Sequence, residues 1–169
     1  MKVFWAADRI LIAILDALII AIAGLILVLM NYAVFSRFVL NDSVSWGEEL
    51  PAHLLAMLTF IGGAYLTRTN GHLCFDGVLA NLPLPVQRIF LIGIQILMIF
   101  FAGCLTYYGA IAAWSFSGRD LISIELPITL FRGAMPVGGA IIALICTVRL
   151  VGLVMGRLGP NDFQPQHDD

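Results

Sequence analysis

Four runs of apolar residues leave this chain few folds to choose from: Ile10 to about Phe35, Leu50 to Leu66, Ile89 to Trp114, and about Leu130 to Met155. A helix needs about 20 apolar residues to cross a hydrocarbon core of roughly 30 Å, and each run reaches or approaches that length. Lipid offers no hydrogen bonds to the backbone, so runs of this kind form helices, whose backbone groups pair internally. The expected fold is an all-α membrane protein with four transmembrane helices. Composition agrees, since 60% hydrophobic and 12% charged residues lie far from the balance of a soluble domain. A mean hydropathy of +0.97 points the same way. Four crossings use up most of 169 residues, so residues 1–158 form one membrane domain. The polar tail, 159–169, has no apolar period and is expected to be disordered. A net charge of -2 without any basic run gives nucleic acid no footing.

The first run is longer than one crossing. Lys2, Arg9 and Asp16 recur every seven residues, with Asp8 beside them, which puts the charges on one helical stripe. Residues 2–16 are therefore expected to lie in the headgroup region, with the crossing proper at 17–35. That placement spares Asp16 the roughly 3 kcal/mol that insertion scales assign to a mid-bilayer carboxylate. The charges interrupting this stretch, and the lack of a small-residue cleavage site, favour an uncleaved first helix over a signal peptide.

The other crossings are expected at 50–66, 89–114 and 130–155. Ser45 and Glu48 have capping-box spacing, so the second helix can begin ahead of Leu50. Pro51 then predicts a bend or a fresh start, because it removes the hydrogen bond to Gly47. Asn70-Gly71 ends that helix. Residues 72–83 alternate apolar with polar positions and end in prolines, the pattern of a short helix lying on the membrane surface. With an even number of spans, Lys2, Arg9, Arg68, Arg88, Arg149 and Arg157 fall on one side, against Arg37, Arg119 and Arg132 on the other. The richer side is expected to be cytoplasmic, with both termini.

Polarity concentrates in RFVLNDSVSWGEELPAH, Arg37 to His53. Arg37 ends the first span and Glu48 and Glu49 open the second, so an Arg37 pair with either carboxylate would staple the two helices. Trp46 suits the headgroup region, and Glu49 and His53 share a helical face. Arg37, Trp46, Glu48, Glu49 and His53 form the candidate interface cluster. Asp42, Arg119, Asp120 and Glu125 carry the charge of the two outward loops.

No catalytic constellation occurs: there is no phosphate-binding glycine loop, no serine elbow and no facing carboxylate pair. The chain is not expected to be an enzyme. Cys74, Cys104 and Cys146 stand alone and serve as small hydrophobes, with no metal-ligand spacing. The membrane anchor of a respiratory redox complex is the alternative reading, but His53, His72 and His167 do not face one another across the bundle as haem ligands would. A self-sufficient small transporter would need mid-membrane polar groups, and only Asn31, Gln95, Thr106 and Arg149 come near that. Thr59 with Gly63, Gly109 with Ala113, Ala134 with Gly138, Gly139 with Ala143, and Gly152 with Gly156 have the spacing of close helix contacts. The bottom-up reading is a scaffold among lipids, without cofactor or metal.

The order RFVLNDSVSWGEELPAH, FIGGAYLTRTNGHLCFD, NLPLPVQR and IELPITLFRGAMPVGGA resembles the small membrane subunit of tripartite ATP-independent periplasmic (TRAP) transporters. The resemblance covers nearly the whole chain and is carried by Arg37, Trp46, Glu48, Glu49, Gly62, Gly63, Arg68, His72, Asp76, Pro127 and Pro136. It implies a sodium-driven secondary transporter importing organic acids, dicarboxylate or sialic-acid-like. In it, a periplasmic binding protein delivers the solute to a large many-helix subunit. This chain would be the non-catalytic scaffold beside the large subunit in a bacterial inner membrane and would help dock the binding protein, with Asp42, Arg119, Asp120 and Glu125 as the docking candidates and Na+ belonging to the partner.

Overall fold

The computed structural model describes the backbone of residues 2–69 and 83–156, and side chains from Ile12 onward except that of Leu84. Five helices make up the described chain: α1 (Lys2–Phe38), α2 (Trp46–Arg68), α3 (Leu84–Ser115), α4 (Ile128–Arg132) and α5 (Ala134–Val154). Four stretches are long and apolar enough to cross a membrane, namely Ile12–Phe38, Trp46–Arg68, Pro85–Ser115 and Ile128–Val154. The protein is all-α, as its apolar runs require.

Helix boundaries differ from the sequence reading in instructive ways. Residues 2–16 and 17–35, read as surface and crossing segments, form one unbroken helix that does not turn at Asp16. Leu15 is buried in the packing against α2 while Asp16 is exposed. The second helix begins at Trp46, four residues ahead of Leu50, without a side-chain cap: Ser45 is itself helical and Glu48 is engaged elsewhere. Pro51 does not restart it. Near a helix start only one interior bond is lost, and the ring is buried. The fourth run, read as one span, is divided at Gly133 into α4 and α5. Pro136 supplies the cause, since it has no N–H for the carbonyl of Arg132 and its ring crowds that carbonyl. The predicted surface helix at 72–83, apart from Pro83 at the start of α3, and the tail at 159–169 lie outside the described residues.

Packing places the spans in a row rather than a closed bundle. The extensive contacts run α1 with α2, α2 with α5, and α5 with α3, while α4 touches α2, α3 and α5. One apolar cluster joins α1, α2 and α4 through Leu15, Ile22, Leu54, Ile61 and Phe131, with Leu121 from the loop before α4. A second joins α2, α3 and α5 through Ala64, Ala102, Ile142 and Cys146.

Adjacent glycines let α5 occupy its central place. A Cβ on Gly138 would sit 2.7 Å from the Phe60 carbonyl oxygen of α2. One on Gly139 would sit 2.8 Å from Thr106 Oγ1 and 3.1 Å from the Ala102 oxygen of α3. Without side chains, the two positions admit backbone on both sides, the close approach that small residues provide in membranes. Of the small-residue pairs read from the sequence, Gly109 also meets α5, at Met135 and Pro136.

Candidate functional site

The polar residues gather at the two ends of the row. One end, the loop rim, carries the α1–α2 connection (39–45) and the α3–α4 connection (116–127). Arg37 closes α1 and donates to Glu48 Oε1 in the first turn of α2 at 2.9 Å. Both side chains are well exposed, at 55% and 82%. Beneath them a cleft of about 140 Å³ separates Met30, Val34 and Phe38 of α1 from Val44 and Gly47. Helix approach is tight here, as a Cβ on Gly47 would lie 2.9 Å from that of Ala33. Trp46 stacks on Tyr32, with ring centroids 5.9 Å apart and planes 6° from parallel. Ser36 Oγ donates to the Asp42 carbonyl and closes the intervening turn, in which Asn41 takes a positive φ of 55°.

Glu49 turns the other way. Its carboxylate accepts from the backbone N–H of Ile122 at 3.2 Å and of Ser123 at 2.9 Å, one oxygen on each. Ser123 Oγ in turn donates to the Ser45 carbonyl at 3.1 Å. The 116–127 connection is a small hairpin that starts from Gly118, at a φ of 81°. Its N–H groups of Ile128 and Leu121 donate to the carbonyls of Arg119 and Leu126, at 3.1 and 2.9 Å. Its tip, residues 122–125, is thus fastened to the start of α2 by charge-assisted bonds. At its base Phe116 lies under two guanidinium groups, Arg132 at 3.6 Å and Arg119 at 5.4 Å from the ring centroid. His53 packs one turn below Glu49 on Phe131, centroids 5.7 Å apart.

The structure therefore brings Arg37 to Glu48, Glu49 to the hairpin tip and His53 to α4, rather than gathering the cluster around one point. Asp42, Arg119, Asp120 and Glu125 are all exposed on this rim. The tie from Glu49 to the hairpin spans 73 residues in sequence. Its donor groups are backbone amides, which no residue spacing marks.

At the opposite rim, arginines close helix ends. Arg149 of α5 donates to the carbonyls of Thr67 and Arg68, at 2.6 and 2.7 Å, two of the carbonyls that α2 leaves unpaired at its C-terminus. Arg88 of α3 does the same for α5, reaching the Leu153 carbonyl at 2.5 Å. Sequence reading counted Arg149 on the basic side and among the polar groups of the spans, and assigned it no contact. The available signal was its place near the end of one helix, level with the end of another.

Between the rims, polar side chains are absorbed by the helices themselves. Asn31, Thr59, Thr67, Thr106 and Thr147 each donate to the carbonyl four residues earlier. Gln95 is the exception, 2% exposed with Oε1 unpaired among protein atoms. No cluster of His, Cys, Asp or Glu able to hold a metal occurs among the described residues.

Comparison with known proteins matches residues 26–156 to the family of the DctQ component of tripartite ATP-independent periplasmic transporters. A curated relative, the ectoine TRAP transporter small permease protein TeaB of Halomonas elongata, is 30% identical over 134 residues. That alignment covers 76% of this chain and 68% of the relative. The matched region takes in both rims, the second half of the first span and the other three spans.

Proposed function

The chain belongs to the DctQ family, the small permease subunits of TRAP transporters, and from that premise we propose that it is the fixed scaffold on which the large permease is held and the periplasmic binding protein docks. It is a component of a transporter, not an enzyme, and a multi-pass protein of the bacterial inner membrane. The loop rim faces the periplasm, and the arginine-rich rim and both termini face the cytoplasm, in keeping with the count of basic residues on each side. Transport is driven by sodium through the large subunit. The solute is an organic acid, dicarboxylate or sialic-acid-like, and the relative's link to ectoine adds that compound to the panel to be tested.

One observation carries the scaffold reading: polar side chains within the spans, Gln95 apart, bond to backbone of their own chain, while groups free to meet a partner stand on the rims. A carrier with its own solute site needs the reverse.

Purification through a C-terminal tag after gentle solubilisation tests the reading. The expected result is one large polytopic protein in near-equal amount. Reversal of the charges at Asp42, Arg119, Asp120 and Glu125 is then expected to slow binding-protein-dependent uptake while complex yield holds. Uptake at the wild-type rate in these variants would remove the docking role, and a chain that purifies alone would remove the scaffold.

A further inference from the structure

We propose that the tip of the 116–127 hairpin is a docking knob for the periplasmic binding protein, with Ile122 as the side chain that enters the partner and Glu49 as the residue that positions it. The inference rests on the docking role above and gives it a centre. Ile122 is 97% exposed, more than any other large apolar side chain among the described residues, although the backbone around it is firmly held. Leu121, its neighbour, is buried at 4% in the cluster with α1, α2 and α4. Glu49 binds the amides of Ile122 and Ser123 at 3.2 and 2.9 Å, and Ser123 Oγ reaches the Ser45 carbonyl at 3.1 Å. Hairpin bonding from Leu121 to Leu126 completes the hold.

An apolar side chain kept in the open gains nothing from the hydrophobic effect within its own chain. Fixing its backbone beforehand does lower the ordering cost of inserting it into a partner. The surroundings suit a protein surface. Asp120 and Glu125 flank the tip and are exposed, with exposed Arg119 behind them. An apolar centre within a polar rim is the anatomy of a protein-binding hot spot. The complementary partner offers a pocket for one branched aliphatic side chain, bordered by basic groups that meet Asp120 and Glu125.

The test uses the complex of this chain with its large permease in nanodiscs, titrated with fluorescently labelled binding protein. Ile122→Ala is expected to raise the dissociation constant roughly five- to tenfold at unchanged complex yield. Glu49→Gln keeps the size but turns a donor toward an amide, and a rise is expected there too. The double variant should be no weaker than Ile122→Ala alone, because Glu49 acts through Ile122. Additive losses would overturn the positioning role of Glu49, and wild-type affinity in Ile122→Ala would overturn the knob. Ile122→Trp supplies an independent reading: an emission shift on adding binding protein supports the proposal, and quenching by brominated lipid in its absence overturns it by placing the residue in the bilayer. If the wild-type complex shows no saturable binding, the docking role itself falls. Saturable wild-type binding with Ile122→Ala unaffected sinks only the knob.

Discussion

Arg37 and Arg149 each join one helix to another, and their surroundings set them far apart in what they contribute. Arg37 meets Glu48 where both side chains are largely in water, so the pair is worth about 0–1 kcal/mol. Arg149 is half-buried and donates to two carbonyls at the end of α2. Bonds from a charged donor contribute roughly 1.5–3 kcal/mol, and removing the donor leaves the carbonyls unpaired. In SDS-driven unfolding, Arg149→Met is expected to cost about 1.5–3 kcal/mol and Arg37→Met less than about 1 kcal/mol. Equal losses would refute this ranking. At this scale the sequence was legible where charge meets charge: a short connection between spans put Arg37 within reach of the carboxylates that open α2. It was opaque where a side chain meets backbone, because backbone N–H and carbonyl groups recur along the whole chain. Arg149 on α2, Arg88 on α5 and Glu49 on the hairpin are all of that second kind.

Among the elements, α5 is the one whose sequence is most constrained by its neighbours. Gly138 faces the backbone of α2 and Gly139 the backbone of α3, each with less than 3.0 Å to spare for a Cβ. Gly93 and Gly103 of α3 have nothing within 4 Å. Replacement by alanine should therefore act in opposite directions. At Gly138 or Gly139 overpacking is expected to destabilise by about 1–3 kcal/mol. At Gly93 or Gly103 the better helix propensity of alanine is expected to stabilise by up to about 1 kcal/mol. Thermal unfolding of the purified complex measures both. The existence and order of the spans could be read from hydropathy, and the small-residue spacing marked α5 as a contact helix. Spacing alone did not say which glycine faced which helix, since that depends on partners distant in sequence. The interruption at Gly133 was hidden for a different reason. Hydropathy runs smoothly through Pro136, whereas the missing amide acts on a carbonyl four residues away.

For the whole molecule, orientation is the expectation that follows most directly from charge. In a background lacking the native cysteines, Ser43→Cys and Ser117→Cys are expected to react with a membrane-impermeant maleimide added to intact cells, and a cysteine at Asp169 only after lysis. The converse pattern would invert the assignment of the rims. The row of spans was not legible at all, because four apolar helices of similar length fit a closed bundle equally well. Contacts between particular faces decide the matter, and those rest on the paired glycines of α5.

The row also bears on how the chain is made. α5 is made after the other three spans, yet it stands between α2 and α3, which have no extensive contact of their own. As the chain leaves the ribosome, α1 and α2 can pair at once. Until α5 arrives, α3 is joined to them only through the 116–127 hairpin and α4. The row is thus completed by the span made after the other three, and a nascent chain cut short after Ser115 would hold the α1–α2 pair and one unattached span.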